Sequence, residues 1–444
     1  MTYIGGYNVL LEGAPSIETL NYDRPDVLHL PLFSSRLEFS QLQVEHGQSV
    51  TRGQVLATDP VNYSVPLLAP LSGTVNLEAV ERHITLENLS ETAPDNGSDS
   101  GAPHGAERQA LIQHGVWPAL TVLGNGSIPD PETDPEALLV PVTRLEPFFP
   151  DPDVFLPGAV ERFGNGLAKL HSTLDETSIH LICCQAKSGL AVQLRQLVEK
   201  SGAWLNLIEV PDTYPFDSPA LAAQSLGLNP DRTWTIDPQG VLAAEAALSK
   251  NKPWLERLIS VSGPAAESPS HAQIPLGFPL STLIGPNRLR QETRLVSGGI
   301  LTGTAIDAQQ MGLDAETPAL TLLQELTQRE VLAFVQAGFG KRSFSNTFAS
   351  ALKPLFKERL TTALGGESRP CVFCGYCEDV CPAGIIPHLI YRYLDNDRPE
   401  DASRVGFDKC IACGLCAYVC LSKIDHLDLF LAERAKNITE SVEG

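Results

Sequence analysis

Eight of the ten cysteines fall between positions 371 and 420, in two ladders of one form: Cys371-Val-Phe-Cys374-Gly-Tyr-Cys377-Glu-Asp-Val-Cys381 and Cys410-Ile-Ala-Cys413-Gly-Leu-Cys416-Ala-Tyr-Val-Cys420. Three thiols at two-residue intervals followed by a fourth after three residues is the ligand spacing of a [4Fe–4S] cluster, and its repetition implies two clusters. A short loop carrying the first three thiolates wraps one face of a cube while its amides point at the sulfides and offset their charge. The fourth sits too far round the next helical turn to close its own cube, and in two-cluster ferredoxins it ligates the other one. The expected ligand sets are therefore Cys371, Cys374, Cys377 and Cys420 for the first cluster, and Cys410, Cys413, Cys416 and Cys381 for the second. Such clusters carry single electrons, so no catalytic acid, base or nucleophile is called for.

Zinc knuckles and disulfide frameworks are the competing uses of clustered cysteines. Neither accounts for a third cysteine at the same interval and a fourth after it, twice over. Gly375 and Gly414 follow the second cysteine of each ladder, where a side chain would crowd the backbone against a cluster. Val372, Phe373, Tyr376, Val380, Ile385, Ile386, Ile411, Leu415 and Val419 are expected to form a dry shell. Leu421 stands where proline usually follows the fourth cysteine, which implies altered packing with the ligands intact. His388 and His426, beside the ladders, read as structural. Cys183 and Cys184 lie in the strand-like run His180–Gln185 and read as buried free thiols.

A chain of 444 residues with 43% apolar content is expected to form several domains. Its 32 basic and 53 acidic residues leave a net charge of −21, which argues against nucleic acid or an anionic membrane surface as the main partner. Residues 1–168 hold 22 acids against 7 arginines, so 15 of the 21 negative charges lie there, and no lysine occurs before Lys169. A solvated acidic face is the simplest reading. No signal peptide and no run of membrane-helix length is present, so a protein with a reducing, cytoplasmic location is expected.

The elements that must carry the ladders read as a multidomain α+β chain. Residues 27–87 alternate apolar and polar positions between glycine turns, with Leu42-Gln-Val-Glu-His-Gly47-Gln-Ser-Val50-Thr-Arg-Gly53-Gln-Val-Leu56 followed by Ala69-Pro-Leu-Ser-Gly73-Thr-Val75. These segments resemble the barrel-sandwich hybrid of lipoyl and biotinyl carriers. Without a lysine to carry a prosthetic group, domain 1–87 is expected to be a scaffold. Residues 88–107 read as a flexible linker. Domain 108–255 reads as an α/β layer, with strands at 137–141, 180–184 and 204–210 and helices over 158–172 and 190–200. It contains neither G-x-G-x-x-G after a strand nor a P-loop. Residues 256–315 suggest a small β-grasp (SLBB-like) module. Residues 316–366 read as a helical segment, with helical periodicity over 319–336 and 345–364. Region 367–444 reads as a two-cluster, α-helical ferredoxin.

In this order the modules resemble one superfamily of membrane-complex subunits, which includes the A subunit of the sodium-translocating NADH:quinone oxidoreductase and the C subunit of the Rnf ferredoxin:NAD oxidoreductase. The ladders are most similar to the Rnf protein. The body is similar to the sodium-pump protein at Tyr7-Asn-Val-Leu-Leu-Glu-Gly13-Ala-Pro15, at Arg108-Gln-Ala-Leu-Ile-Gln-His-Gly115-Val-Trp-Pro-Ala-Leu120, and at Gly338-Phe-Gly-Lys-Arg-Ser-Phe-Ser-Asn-Thr-Phe348. After Gly115 the Rnf protein has a glycine-rich loop for nucleotide or flavin phosphates, whereas Val116-Trp117-Pro118-Ala119-Leu120 offers bulk and a missing donor. The resemblance therefore implies a peripheral subunit on the cytoplasmic side of the inner membrane, partnered by membrane subunits and a flavin-bearing NADH dehydrogenase subunit. NADH, flavins and quinone would be handled mainly by those partners, with quinone contact near the β-grasp or Gly338–Phe348 as a family-based suggestion. The alternatives are an Rnf-type subunit and a non-catalytic scaffold.

Overall fold

The computed structural model describes residues 3–90, 105–185, 189–284, 292–326, 360–362 and 368–443. They form a mixed α+β chain with four sheets and a helical C-terminal region that carries the two cysteine ladders.

Two small antiparallel sheets come first. One pairs Leu28–Pro31, His83–Ser90, Ser72–Asn76 and Ser49–Val50, and the other pairs Gln41–Leu42, Val55–Asp59 and Val65–Leu68. Their inward positions, among them Leu28, Leu30, Leu56, Val65, Val75, Ile84 and Leu86, are buried, as a period of two requires when one face meets a core. The last strand runs to Ser90, so the first residues of the expected linker belong to a sheet, and residues 91–104 lie outside the described residues.

The third sheet has the order Leu205–Val210, Ile179–Cys184, Ala137–Pro141, Thr233–Thr235, Thr121–Val122. The first four strands are mutually parallel and the last is antiparallel. Ala137–Pro141 is buried at every position, as expected of a central parallel strand covered by helices. Val160–Thr173 and Pro238–Lys250 pack together, and the second of these is capped by Asp237, which accepts from the Gly240 N–H at 2.7 Å.

The fourth sheet, of six strands, corrects one expectation. Ala319–Gln324 lies in its interior as a strand, parallel to Glu256–Ser262 and antiparallel to Thr293–Ser297, where periodicity predicts a helix over 319–336. An Ala-Leu-Thr-Leu-Leu run satisfies either period, and pairing on both sides decides it. Residues 325–326 continue without helix, and residues 327–336 of that expected helix, with most of the one over 345–364, lie outside the described residues. Thr19–Leu20 supplies the edge of this sheet, and residues 3–11 pass beside the cysteine region, so the opening of the chain does not join the first two sheets.

Arg36 pins these parts together. Its Nε donates to Glu316 Oε1 at 2.5 Å, one terminal nitrogen donates to the Pro118 carbonyl at 2.7 Å, and the other to Thr121 Oγ1 at 2.9 Å. Glu316 also accepts from the Ser34 and Ser35 hydroxyls and the Arg36 N–H. Burial alone raises the Glu316 pKa, but Arg36 and these donors outweigh it and hold the carboxyl below its ordinary value. Its stabilising contribution is therefore complete above about pH 4.5 and is lost as pH falls through the lower folded value. Glu316→Ala should cost about 3 kcal/mol in chemical denaturation at pH 7, with the gap to wild type narrowing below pH 4; equal stabilities at pH 7 would remove Arg36 as a pin.

Candidate metal centre

Each ladder begins as a loop that alternates left-handed residues. Phe373 (φ 54°) and Gly375 (φ 80°) occupy the same places in the first as Ala412 (φ 53°) and Gly414 (φ 76°) in the second. Short helices then start at Tyr376 and Leu415 and carry the third cysteine of each ladder inward. A reversal of this kind turns backbone N–H groups toward the concave side, where a sulfur can accept. Ala412 N–H donates to Cys410 Sγ at 3.4 Å, and Ile424 N–H to Cys420 Sγ at 3.5 Å.

The helical packing brings the eight thiols into two groups. Cys371, Cys374, Cys377 and Cys420 line one cavity together with His388 and His426. Cys381, Cys410, Cys413 and Cys416 line a second, whose other walls include Ile385, Ile411, Leu415 and Phe430. Among the described residues no three His, Cys, Asp or Glu side chains are set to hold a single metal ion. The thiols instead stand around two hollows, an arrangement that suits a cube with separate corners better than one zinc tetrahedron. Burial pushes the Cys377 thiol up to about 11 and the Cys413 thiol up to about 12, and neighbouring cysteines add to both. Burial also raises Cys381, against the opposing effect of the Ile385, Ala383 and Gly384 amides, which direct hydrogen bonds at its sulfur. The donor set and the amides aimed at sulfur fit an iron–sulfur cluster in each hollow.

The shell is less uniform than expected. Val380, Ile385, Leu415 and Val419 are buried, but Val372 and Phe373 face outward. His388 Nδ1 lies 3.7 Å from Cys377 Sγ. His426 is buried between the Tyr391 and Phe430 rings, with Nδ1 3.1 Å from the Ile424 carbonyl and no hydrogen-bond partner for Nε2 among the described residues. Cys183 and Cys184 are buried in the α/β layer, far along the chain from either ladder.

What seats the second ladder was not visible in the cysteine spacing. Tyr214 donates its hydroxyl to the Cys413 carbonyl at 2.7 Å, and Gln224 donates to the Lys409 carbonyl at 3.0 Å. The residues before Tyr7 cross both parts: Gly6 N–H donates to the Val380 carbonyl at 2.9 Å and Tyr7 N–H to the Tyr214 carbonyl at 2.8 Å. A paired glycine at positions 5 and 6 is the one sequence signal of that close approach, since a Cβ at Gly5 would meet the Cys381 carbonyl oxygen at 2.5 Å. Glu146, buried, accepts from the Leu301 and Thr302 N–H groups at 2.8 Å each and from the Thr302 hydroxyl at 2.6 Å. That turn presents the Leu301 carbonyl to Gly414. Burial raises the Glu146 carboxyl and the Tyr214 phenol, and Asp217 nearby is raised by the same cause.

Val116–Leu120 is core. Trp117 is fully buried, donates from Nε1 to the Pro129 carbonyl at 2.9 Å and meets Trp234 edge to face. A cavity of ≈ 220 Å³ adjoins this loop, lined by Arg36, Arg144, Arg257, Phe149, Trp254 and Glu316, and composition alone gave no sign of it. Arg36 and Arg257 are paired there with Glu316 and Asp237. The segment Gly338–Phe348 lies outside the described residues.

Comparison with known proteins adds two family matches. Residues 104–250 match the NqrA second alpha/beta domain, and residues 370–424, which enclose all eight ladder cysteines, match the 4Fe-4S dicluster domain. The chain is 29% identical over 409 residues to the A subunit of the Na(+)-translocating NADH-quinone reductase of Pseudomonas aeruginosa strain PAO1, covering 87% of each chain. It is 27% identical over 469 residues to the protein of the same name from Neisseria meningitidis serogroup A, covering 99% of this chain and 98% of that one. Among solved structures, the air-oxidized NAD+-reducing [NiFe]-hydrogenase is similar at a TM-score of 0.37 and 16% identity, over 49% of this chain and 46% of that chain, a likeness too slight to argue from.

The two ladder glycines separate conformation from contact. At Gly414 an added Cβ would lie 2.6 Å from the Leu301 carbonyl oxygen, while at Gly375 no atom of the described residues beyond its chain neighbours comes within 4 Å. In the cluster-free protein Gly375→Ala should therefore cost only the left-handed penalty of about 1 kcal/mol. Gly414→Ala should cost clearly more and expose the Leu415–Tyr418 helix to limited proteolysis. Equal losses for the two variants would mean that Leu301 does not seat the ladder.

Proposed function

Because the chain belongs to the NqrA family of sodium-translocating NADH-quinone reductase subunits, with a 4Fe-4S dicluster domain at its C-terminal end, we propose that it is a peripheral subunit of such a complex and passes electrons through two [4Fe–4S] clusters. The observation that carries this reading is the grouping of eight thiols, four and four, around two adjoining hollows. The first cluster is assigned to Cys371, Cys374, Cys377 and Cys420, and the second to Cys410, Cys413, Cys416 and Cys381. Each cluster, when bound, takes up and releases one electron.

The protein's own part is to hold, shield and seat. Ile385, Leu415 and Phe430 keep water from the second hollow, and amides of residues 383–385 offset negative charge at Cys381. Tyr214 and Leu301 hold the second ladder against the α/β layer and the six-stranded sheet. Within this reading the first two sheets are a lysine-free barrel-sandwich hybrid scaffold, the six-stranded sheet is a β-grasp module and the helical region is a ferredoxin. No helix among the described residues is long and apolar enough to cross a membrane. Attachment on the cytoplasmic side would then run through membrane subunits, with NADH, flavin and quinone handled by partners that include a flavin-bearing dehydrogenase subunit.

The second reading, an Rnf-type subunit, rests on the form of the ladders. Against it stands the buried Val116–Leu120 loop, whose Pro118 carbonyl accepts from Arg36 and which exposes no run of amides to a pyrophosphate. Calorimetry on cluster-loaded protein should detect no micromolar binding of NADH; such binding would put the Rnf reading first. EPR during a redox titration should show two cubes reducing in the physiological range, and two that never reduce would leave a scaffold. Cys420→Ser should damage the cube held by Cys371, Cys374 and Cys377, whereas loss confined to the Cys410 cube would overturn the cross-ligation.

A further inference from the structure

We propose that His388 is a positioning residue for electron transfer, a side-chain donor to the Cys377 sulfur that raises the electron affinity of the first cluster and has no counterpart at the second. The inference rests on reading the eight thiols as cluster ligands. His388 Nδ1 lies 3.7 Å from Cys377 Sγ. A ligating thiolate has no proton to give, so the shared proton sits on Nδ1 and the imidazole donates. Burial raises the Cys377 thiol, and the His388 backbone N–H, aimed at the same sulfur, opposes that rise. Phe373 meets the imidazole edge to face, with ring centroids 5.7 Å apart, and steadies its orientation.

The internal repeat supplies a comparison within one molecule. After the fourth cysteine the two halves read Cys381-Pro-Ala-Gly-Ile385-Ile-Pro387-His388 and Cys420-Leu-Ser-Lys-Ile424-Asp-His426-Leu427. Ile385 and Ile424 are buried at matching places, and helices start at Pro387 and at His426. The two residues that open each helix divide between the hollows: His388 and His426 line the first, Pro387 and Leu427 the second. Each imidazole is thus matched in the repeat by an apolar side chain, His388 by Leu427 and His426 by Pro387. Backbone amides are directed at sulfur in both halves, so among the described residues the imidazoles are what the first hollow has and the second lacks.

Of the two imidazoles, His388 is the donor. A carbonyl oxygen only accepts, so His426 commits its Nδ1 proton to Ile424 at 3.1 Å, and burial lowers its pKa and keeps the ring neutral, without a second N–H. A hydrogen bond to a ligand sulfur offsets negative charge and therefore favours the reduced cluster, which carries one charge more. The step is the exchange of one electron between the two clusters, one oxidised as the other is reduced. No bond is made or broken, and the Nδ1 proton stays on the ring. Charges around the second site are mixed: burial raises the Cys410 and Cys381 thiols, the Arg434 guanidinium opposes the rise at Cys410, and Glu378 adds to it at Cys381. His388 is the difference between the sites that one substitution removes.

The test uses the full chain with both clusters loaded and its histidines labelled with nitrogen-15 in the ring only. Electron–nuclear double resonance on the stepwise-reduced wild type should show a ring-nitrogen coupling to one cube and none to the other, a reading that needs no variant to fold. His388→Leu gives this position the side-chain type of Leu427. It should abolish the coupling and shift the one-electron equilibrium at least tenfold toward the uncoupled cube, about 59 mV, in an EPR-monitored redox titration. His388→Asn, which returns an N–H near the place of Nδ1, should recover most of that shift. Protein with neither cube by EPR would mark the failure of the underlying cluster reading, and the role of His388 would fall with it. With both cubes present, any of four results overturns that role alone: a wild type without ring-nitrogen coupling, a coupling that survives His388→Leu, potentials that stay fixed or move equally at both cubes, or an Asn variant that behaves as the Leu variant does, which would assign the shift to solvent access.

Discussion

Tyr214 is the knot on which the arrangement of this molecule depends. Its hydroxyl donates to the carbonyl of Cys413, its own carbonyl accepts from Tyr7, and its N–H donates to the Asn8 side chain at 2.9 Å. Burial lifts the phenol well above its ordinary value, with Glu146 and Cys413 adding to the shift, so it remains a neutral donor throughout the working range of pH. One buried side chain thus joins the α/β layer, the opening segment and a cysteine ladder. Val9, Leu11, Phe148, Val380, Leu415 and Val419 close around it as one apolar cluster that spans all three.

That knot makes the two cysteine sites unequal. Their loops share left-handed residues at matching places, as repeated ligand spacing leads one to expect, but one site is turned to the body and the other to solvent. The inner site abuts a polar hollow lined by Arg144, Glu146, Tyr214 and Asp217, and Arg144 and Phe149 also line the larger cavity beside Val116–Leu120. A pair of cubes in this setting has a direction built into it by surroundings alone, before any difference in potential.

How much of this the sequence reveals follows from how local each signal is. The ladders are legible because three of the four ligands expected for each cluster stand at two-residue intervals, and the expected helix over 158–172 appears as Val160–Thr173 because amphipathic period acts over a few turns. Ala319–Gln324 misleads because a short apolar run carries no decisive period; only its pairing with Glu256–Ser262 and Thr293–Ser297 makes it a strand. The Arg36–Glu316 pin and the Tyr3–Leu11 passage are illegible for a different reason. Their partners are distant carbonyls and carboxylates, and nothing in the neighbouring residues encodes them. Val372 and Phe373 show the same limit, since apolar type alone does not say whether a side chain faces a core or the surface.

The crossing of Gly6 and Tyr7 over Val380 and Tyr214 also imposes an order on folding. Those contacts join the opening of the chain to its middle and to the cysteine region, and a closure of such long range gains little until both of its anchors are in place. A latch formed last by a few backbone hydrogen bonds is also among the first to open in local unfolding. Assembly of the ladders and their attachment to the body are therefore separate events. The helical region is able to mature as a unit before the chain closes over it.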